Sequence, residues 1–246
     1  MKRKLWLISS ALILSLSVSA CGSHTHKSTS QKAKSALQAN MSNKYNSPKN
    51  SAKESNGYSF KIPKNQLDSR NFVKNGDLTK PSQFTYDHFG TEQRLAKVNY
   101  SHQMLTSNGI RYEVLRAKVI KNTATTAVAK EAAKQALNLS SVPDTYYTFL
   151  VNYRVANLRN SSIALNGVKQ VKTSNGQTLS ISNQLNDSSA GARISSDSTQ
   201  EFSMVGYLYD YSQHPSDSIS ILFGNIYTPN GSKVANGPSE SLNIQF

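Results

Sequence analysis

"TFLVNYRVANL", Thr148 to Leu158, decides the fold class. Phe149, Val151, Tyr153 and Val155 fall on one side, against Thr148, Asn152 and Arg154 on the other, with Leu150 the exception. A period of two is that of an extended chain with one buried face, so the stretch predicts a half-buried β-strand. "SLNIQF" at the C-terminus repeats the logic, with Leu242, Ile244 and Phe246 inward and Asn243 and Gln245 outward. "SISILFGNIY" from Ser218 places Ile219, Ile221 and Phe223 together. "QEFSMVGYLYDY" from Gln200 is apolar or aromatic on both sides, which suits a central strand or one covered on its outer face.

Turn signals lie between these runs. "TSNG" occurs at Thr106 to Gly109 and again at Thr173 to Gly176, and "TPNG" at Thr228 to Gly231. Asn-Gly tolerates positive φ at both turn positions, so hairpins are expected around each. "TTAVAKEAAKQALNL", Thr125 to Leu139, breaks the pattern with good helix formers, and Val128, Ala132, Gln135 or Ala136, and Leu139 recur at helical spacing. Strands are expected near 93–100, 110–121, 145–158, 162–173, 177–183, 200–211, 218–227 and 240–246. With one short inserted helix, they describe a mainly β protein, an antiparallel immunoglobulin-like β-sandwich over 93–246, after an irregular lead-in at 58–92.

The rest of the chain is of another kind. Lys2, Arg3 and Lys4 precede an apolar run, Leu5 to Val18, which is shorter than the roughly 20 residues a spanning helix needs. Then come Val18, Ser19, Ala20 and Cys21, the one cysteine in 246 residues. An aliphatic residue, two small ones and a cysteine after charged and apolar regions resemble the lipobox of bacterial lipoproteins. That resemblance implies a signal peptide over 1–20, cleavage after Ala20, and a diacylglyceryl group on the Cys21 thiol. Two acyl chains give a stable anchor where one is marginal, so a location on the extracellular face of the cell membrane is expected.

Residues 21–57 are rich in Ser, Asn and Lys and nearly free of aliphatic and acidic side chains. Such a segment buries too little surface to offset its ordering entropy, and a disordered tether is expected. Its 36 residues after Cys21 would span roughly 30 to 35 Å as a coil. The formal charge is +14, and removal of Lys2, Arg3 and Lys4 leaves +11. Attraction to anionic lipid and to an anionic cell-wall polymer follows. Nucleic acid is not expected as a partner, because the export signal takes the chain out of the cytoplasm and no nucleic-acid-binding motif is present.

The order "GIRYEVLRAKVIKNT", a helical insertion, "YYTFLVNYRVANLRNSSIAL", "VKTSNGQTLSIS", "FSMVGYLYDY" and "SISILFGNI", with the lead-in "GDLTKPSQFTYDHFGTEQRL" from Gly76, is similar to the telokin-like, immunoglobulin-like domain of small Gram-positive surface lipoproteins of unassigned function. The resemblance covers residues 75–246 and implies an extracellular binding or structural module. The Cys-Trp-Cys signature of antibody domains is absent from that region.

No Gly-x-Ser-x-Gly elbow, zinc-protease helix or phosphate-cradling loop is present, and no cofactor is expected. His24 and His26 form a pair, but two ligands make no closed metal site. Asp210 and His214 in "DYSQHPSD" are the nearest approach to an acid/base pair. Tyr207, Tyr209 and Tyr211 alternate, so on a regular strand all three would share a face and form a stacking platform for a carbohydrate or a peptide; the alternative is that they pack beneath the helix or the lead-in as core. A non-catalytic envelope module, binding a wall polymer, a carbohydrate or an envelope protein, is the expectation. The alternative is a cell-wall hydrolase whose carboxylates converge only in three dimensions.

Overall fold

The structure is a computed structural model that describes residues 60–74 and 76–246. The expected signal peptide over 1–20, Cys21, the His24/His26 pair and the expected tether over 21–57 lie outside the described residues. Within them the chain is mainly β and antiparallel, with two short helices, α1 (Lys64–Leu67) and α2 (Ala127–Leu137).

Three strands form the centre: β4 (Ile110–Thr123), β5 (Thr145–Asn157) and β11 (Ser198–Leu208). β5 pairs along its full length with β4, from Ile110 opposite Asn157 to Thr123 opposite Thr145. On its other side β11 runs from Ser198 opposite Asn157 to Leu208 opposite Tyr147. β1 (Phe84–Tyr86) and β2 (Glu92–Asn99) extend this sheet beyond β4, β9 (Leu185–Asp187) lies beyond β11, and β3 (Met104–Ser107) also pairs with β4. Two four-stranded sheets complete the molecule. One comprises β6 (Ile163–Leu165), β10 (Arg193–Ile194), β13 (Ile226–Tyr227) and β14 (Lys233–Ala235). The other comprises β7 (Val168–Thr173), β8 (Thr178–Leu179), β12 (Ser218–Phe223) and β15 (Leu242–Gln245).

The alternation sets the layers. Phe149, Val151, Tyr153 and Val155 of β5 share one buried core with Val171 of β7, Ile219, Ile221 and Phe223 of β12, and Leu242 and Ile244 of β15. This is sheet-on-sheet packing with interleaved inner faces. Tyr112 stacks on Phe223 across it at 4.0 Å between ring centroids. In β4 the inward set changes from Ile110, Tyr112 and Val114 to Ala117 and Val119, because a bulge between Val114 and Arg116 adds one residue and shifts the parity. Gly206 stands opposite Phe149, and a side chain there would overlap the Phe149 ring.

The large sheet is covered on part of its outer face as well, at Tyr146 of β5 and Tyr207 of β11, which accounts for the two-sided apolarity at the end of β11; Leu150 is also buried. Helix α2 lays Ala129, Ala133 and Leu137 into a cluster with Tyr146 and Tyr207. The Thr126 hydroxyl accepts from the Ala129 amide at its start, and Asn138 closes it in the left-handed region at φ 54°. The buried face is alanine-rich, and Val128, expected to face the sheet, is exposed. The stripe read from sequence holds at Ala132 and Ala136, which are buried, and at Leu139, which packs on the cluster, but fails at Val128; Ala129, Ala133 and Leu137 complete the buried face.

The lead-in is part of the fold rather than an irregular approach to it. Phe60 stacks on Tyr86 at 5.3 Å, and Leu78 packs with Leu95 and Ile120. Beside it Asp77 meets Arg116 at 2.9 Å and Lys118 at 3.4 Å. Burial tends to raise the Asp77 carboxyl, but the two cations hold it below the ordinary range. Lys118 is 3% exposed, and burial, aided by Arg116 and opposed by Asp77, lowers its ammonium to about 8.

Other expectations shift at their ends. The strand expected at 162–173 divides into β6 and β7 around Asn166-Gly167, Gly167 having φ 81°. The strand expected at 177–183 shrinks to two residues. The hairpin at Asn108-Gly109 uses positive φ at both positions. Those at 173–177 and 228–232 use it only at Gly176 and Gly231, in wider turns closed by Thr173 N–H to the Gln177 carbonyl and Thr228 N–H to that of Ser232.

Candidate functional site

The three alternating tyrosines do not form a common platform. β11 ends at Leu208, and Asp210 adopts φ 50°, so the chain leaves the extended conformation before the third ring. Tyr207 is 7% exposed and belongs to the cluster under α2. Tyr211 is 8% exposed and packs on Tyr147 at 4.8 Å, on the sandwich side. Burial, with Tyr209 and Asp210 adding to it, raises the Tyr207 phenol; burial likewise raises that of Tyr211. Tyr209 alone stands out, 68% exposed.

Tyr209 borders an open groove of about 400 Å³ at one end of the sandwich. One wall is the turn after β11. There the Gln213 and His214 amides both donate to the Asp210 carbonyl, which folds His214 back so that its Nδ1 lies 2.8 Å from Asp210 Oδ2. The opposite wall is the loop from β8 to β9. The Ser180 and Asn183 backbones bond each other in both directions, with Ile181 exposed at the tip. Gln184 takes the left-handed conformation at φ 60°, an uncommon state for a non-glycine residue without the local side-chain bonding of Asn or Asp.

Gln177 joins the two walls. Its Nε2 donates to the Tyr207 carbonyl at 2.9 Å, and its Oε1 accepts from the Tyr209 amide at 3.1 Å. The backbone on both sides of Leu208 is thereby pinned, and the Tyr209 ring projects from a braced turn. Asn175 Nδ2 donates to the His214 carbonyl at 2.9 Å, holding the far wall. The Asn183 side chain makes no hydrogen bond to another described residue, and the His214 ring bonds only through Nδ1 among them.

Sequence reasoning isolated Tyr209, Asp210 and His214 but left the first between a three-ring face and core, and read the other two as the nearest approach to an acid/base pair. It passed over Gln177, Asn183 and Gln184. The "TSNGQTLSISNQ" run carries them all within ten residues after a turn signal, yet only tertiary pairing brings that run against residues 207–214.

A second polar cluster is structural. Asp187, buried, accepts from Tyr153 Oη at 2.7 Å, the Val168 amide at 2.7 Å, the Ser189 amide at 3.0 Å and Ser189 Oγ at 2.9 Å. Its acceptor capacity is filled by groups of the fold itself.

Comparison adds likenesses of shape. No protein-family model matches the chain, and no curated protein does. Among solved structures, Northeast Structural Genomics Consortium target SoR45 is similar over 56% of this chain and 88% of its own, at 12% identity and a TM-score of 0.33. A functionally unknown protein from Listeria monocytogenes EGD-e is similar over 53% and 73%, at 9% identity and a TM-score of 0.38. Among the described residues, no group of three or more His, Cys, Asp or Glu side chains is placed to hold a metal. No described helix is long and apolar enough to cross a membrane.

Proposed function

We propose that the protein is a lipid-anchored lipoprotein of the Gram-positive surface type, with an immunoglobulin-like, telokin-like domain that binds a component of the cell envelope without turning it over. The observation that carries the binding half is the groove itself. An exposed aromatic ring on a braced turn faces a loop carrying uncommitted amide groups, at the end of the sandwich, which is where loops on a scaffold place recognition.

Two points favour binding over hydrolysis. Asp210 is the single carboxylate among the residues lining the groove, whereas glycoside hydrolysis ordinarily uses two. The Asp210–His214 pair has no hydroxyl or thiol bonded to the free edge of the imidazole among the described residues, as an activated nucleophile would require.

The anchoring half rests on Val18-Ser19-Ala20-Cys21 behind a basic and then apolar N-terminus. Mass spectrometry of the membrane-extracted N-terminus tests it, with Cys21→Ser as control. A mature chain beginning at diacylated Cys21 is expected. An unmodified Cys21 on protein released to the medium refutes it.

A further inference from the structure

We propose that the groove beside Tyr209 takes an uncharged saccharide. This rests on the binding-module reading above and narrows it from an envelope component to one class of ligand.

The charge of the groove is the first argument. The whole chain carries +14, yet no lysine or arginine lines the groove, and Asp210 does. A phosphate-rich polymer entering here would meet a carboxylate and no lysine or arginine in the lining itself, an unfavourable juxtaposition; the nearest such cation by strand register, Lys172, stands across from Thr178 outside the lining. The basic character of the protein and the ligand of this groove are therefore separate matters.

The chemistry of the polar groups is the second. Side-chain amides donate and accept at once, as sugar hydroxyls do, and a pair of adjacent hydroxyls matches one amide on both counts. Among the groove's polar groups, the Asn183 amide, the Gln184 amide nitrogen, the Thr178 and Tyr209 hydroxyls and His214 Nε2 make no hydrogen bond to another described residue. Tyr209 supplies a ring face for the apolar C–H side of a pyranose, and its hydroxyl a polar edge.

Backbone geometry is the third. Peptides recognised by strand addition need a row of free backbone donors and acceptors. Here the loop spends its own groups internally: Leu185 N–H bonds the Ser180 carbonyl, and Tyr207 N–H that of Gln184. β8 is only two residues long. Two non-glycine residues of the groove, Gln184 and Asp210, are held at positive φ. Such positions persist where the surrounding structure over-determines them, and they gather at ligand sites.

The test uses the full mature protein, extracted with its anchor in detergent, and calorimetric titration. The probes are a glucose trisaccharide, an N-acetylglucosamine trisaccharide, poly(glycerol phosphate) and trialanine. At least one trisaccharide is expected to bind, and Tyr209→Ala to weaken it about tenfold or more. Tyr209→Phe should retain most of the affinity, and Asn183→Ala should lose part of it. Both side chains are exposed, and unchanged thermal unfolding verifies that each of the three variants is folded. Failure of both trisaccharides to bind at roughly 10 mM, binding that survives Tyr209→Ala, or displacement of the sugar by trialanine or poly(glycerol phosphate) overturns the proposal. A diacylated Cys21 together with a groove that takes no sugar would sink this assignment and leave the anchoring reading standing.

Discussion

Replacing Lys118 by Met isolates the electrostatics of the outer face. Lys118 is enclosed between β4 and the lead-in, with Asp77 and Arg116 as its charged neighbours. Its ammonium falls from 10.5 to about 8 on folding, mainly through burial. The folded state therefore binds fewer protons than the unfolded chain between those values. Stability contributed by this group is absent below about pH 8, grows as pH rises through it, and levels off near 10.5. Between pH 7 and pH 9.5 the linkage relation gives a gain of about 2 kcal/mol. Buried tyrosines act the other way: the phenols of Tyr112, Tyr146 and Tyr153 are raised by burial, so their contribution is lost as pH climbs past 10. At pH 9.5 that offset is only a few tenths of a kcal/mol, and it cancels between wild type and variant. Urea unfolding at both pH values, read by circular dichroism, measures the difference directly. The wild type should gain about 2 kcal/mol more than Lys118→Met over the interval. At pH 7 the variant should be close to neutral or more stable, since Met fills a similar volume and Asp77 keeps Arg116. An equal gain in both proteins would show that Lys118 is not the buried, depressed group described here.

Tyr153→Phe removes the 2.7 Å donor to buried Asp187 while keeping the ring, and should cost about 1–3 kcal/mol in urea unfolding. Gly206→Ala sets a methyl against the fully buried Phe149 ring, and should cost about 1–3 kcal/mol by the same measurement through overpacking. Nitration of the native protein followed by peptide mapping should modify Tyr209 and spare Tyr207 and Tyr211; early labelling of either of the latter would contradict their burial.

The strands were legible because period-two alternation reports one buried face directly, as in Thr148–Leu158. Helix α2 was legible from composition, but its buried face only in part: with alanines on two sides, whether Val128 or Ala129 turns inward depends on what lies beneath. The lead-in hid β1 because three residues, Phe84–Tyr86, are too few to show a period. Asn166-Gly167 and Gly224-Asn225 look like mid-strand residues until the chain is seen to change sheets there.

The groove shows the same division. From residue types and local spacing alone, the chain declares a β-sandwich with an inserted helix, an N-terminal lipobox-like cysteine, and an aromatic run near Tyr209, because these signals are carried by neighbours in sequence. Only the tertiary structure decides that Tyr207 and Tyr211 are core while Tyr209 is free, and that Gln177, Asn183 and Gln184 stand against it. A strand's end and a turn's brace are set by partners some thirty residues away, as Gln177 is from Tyr209, and no local period records them.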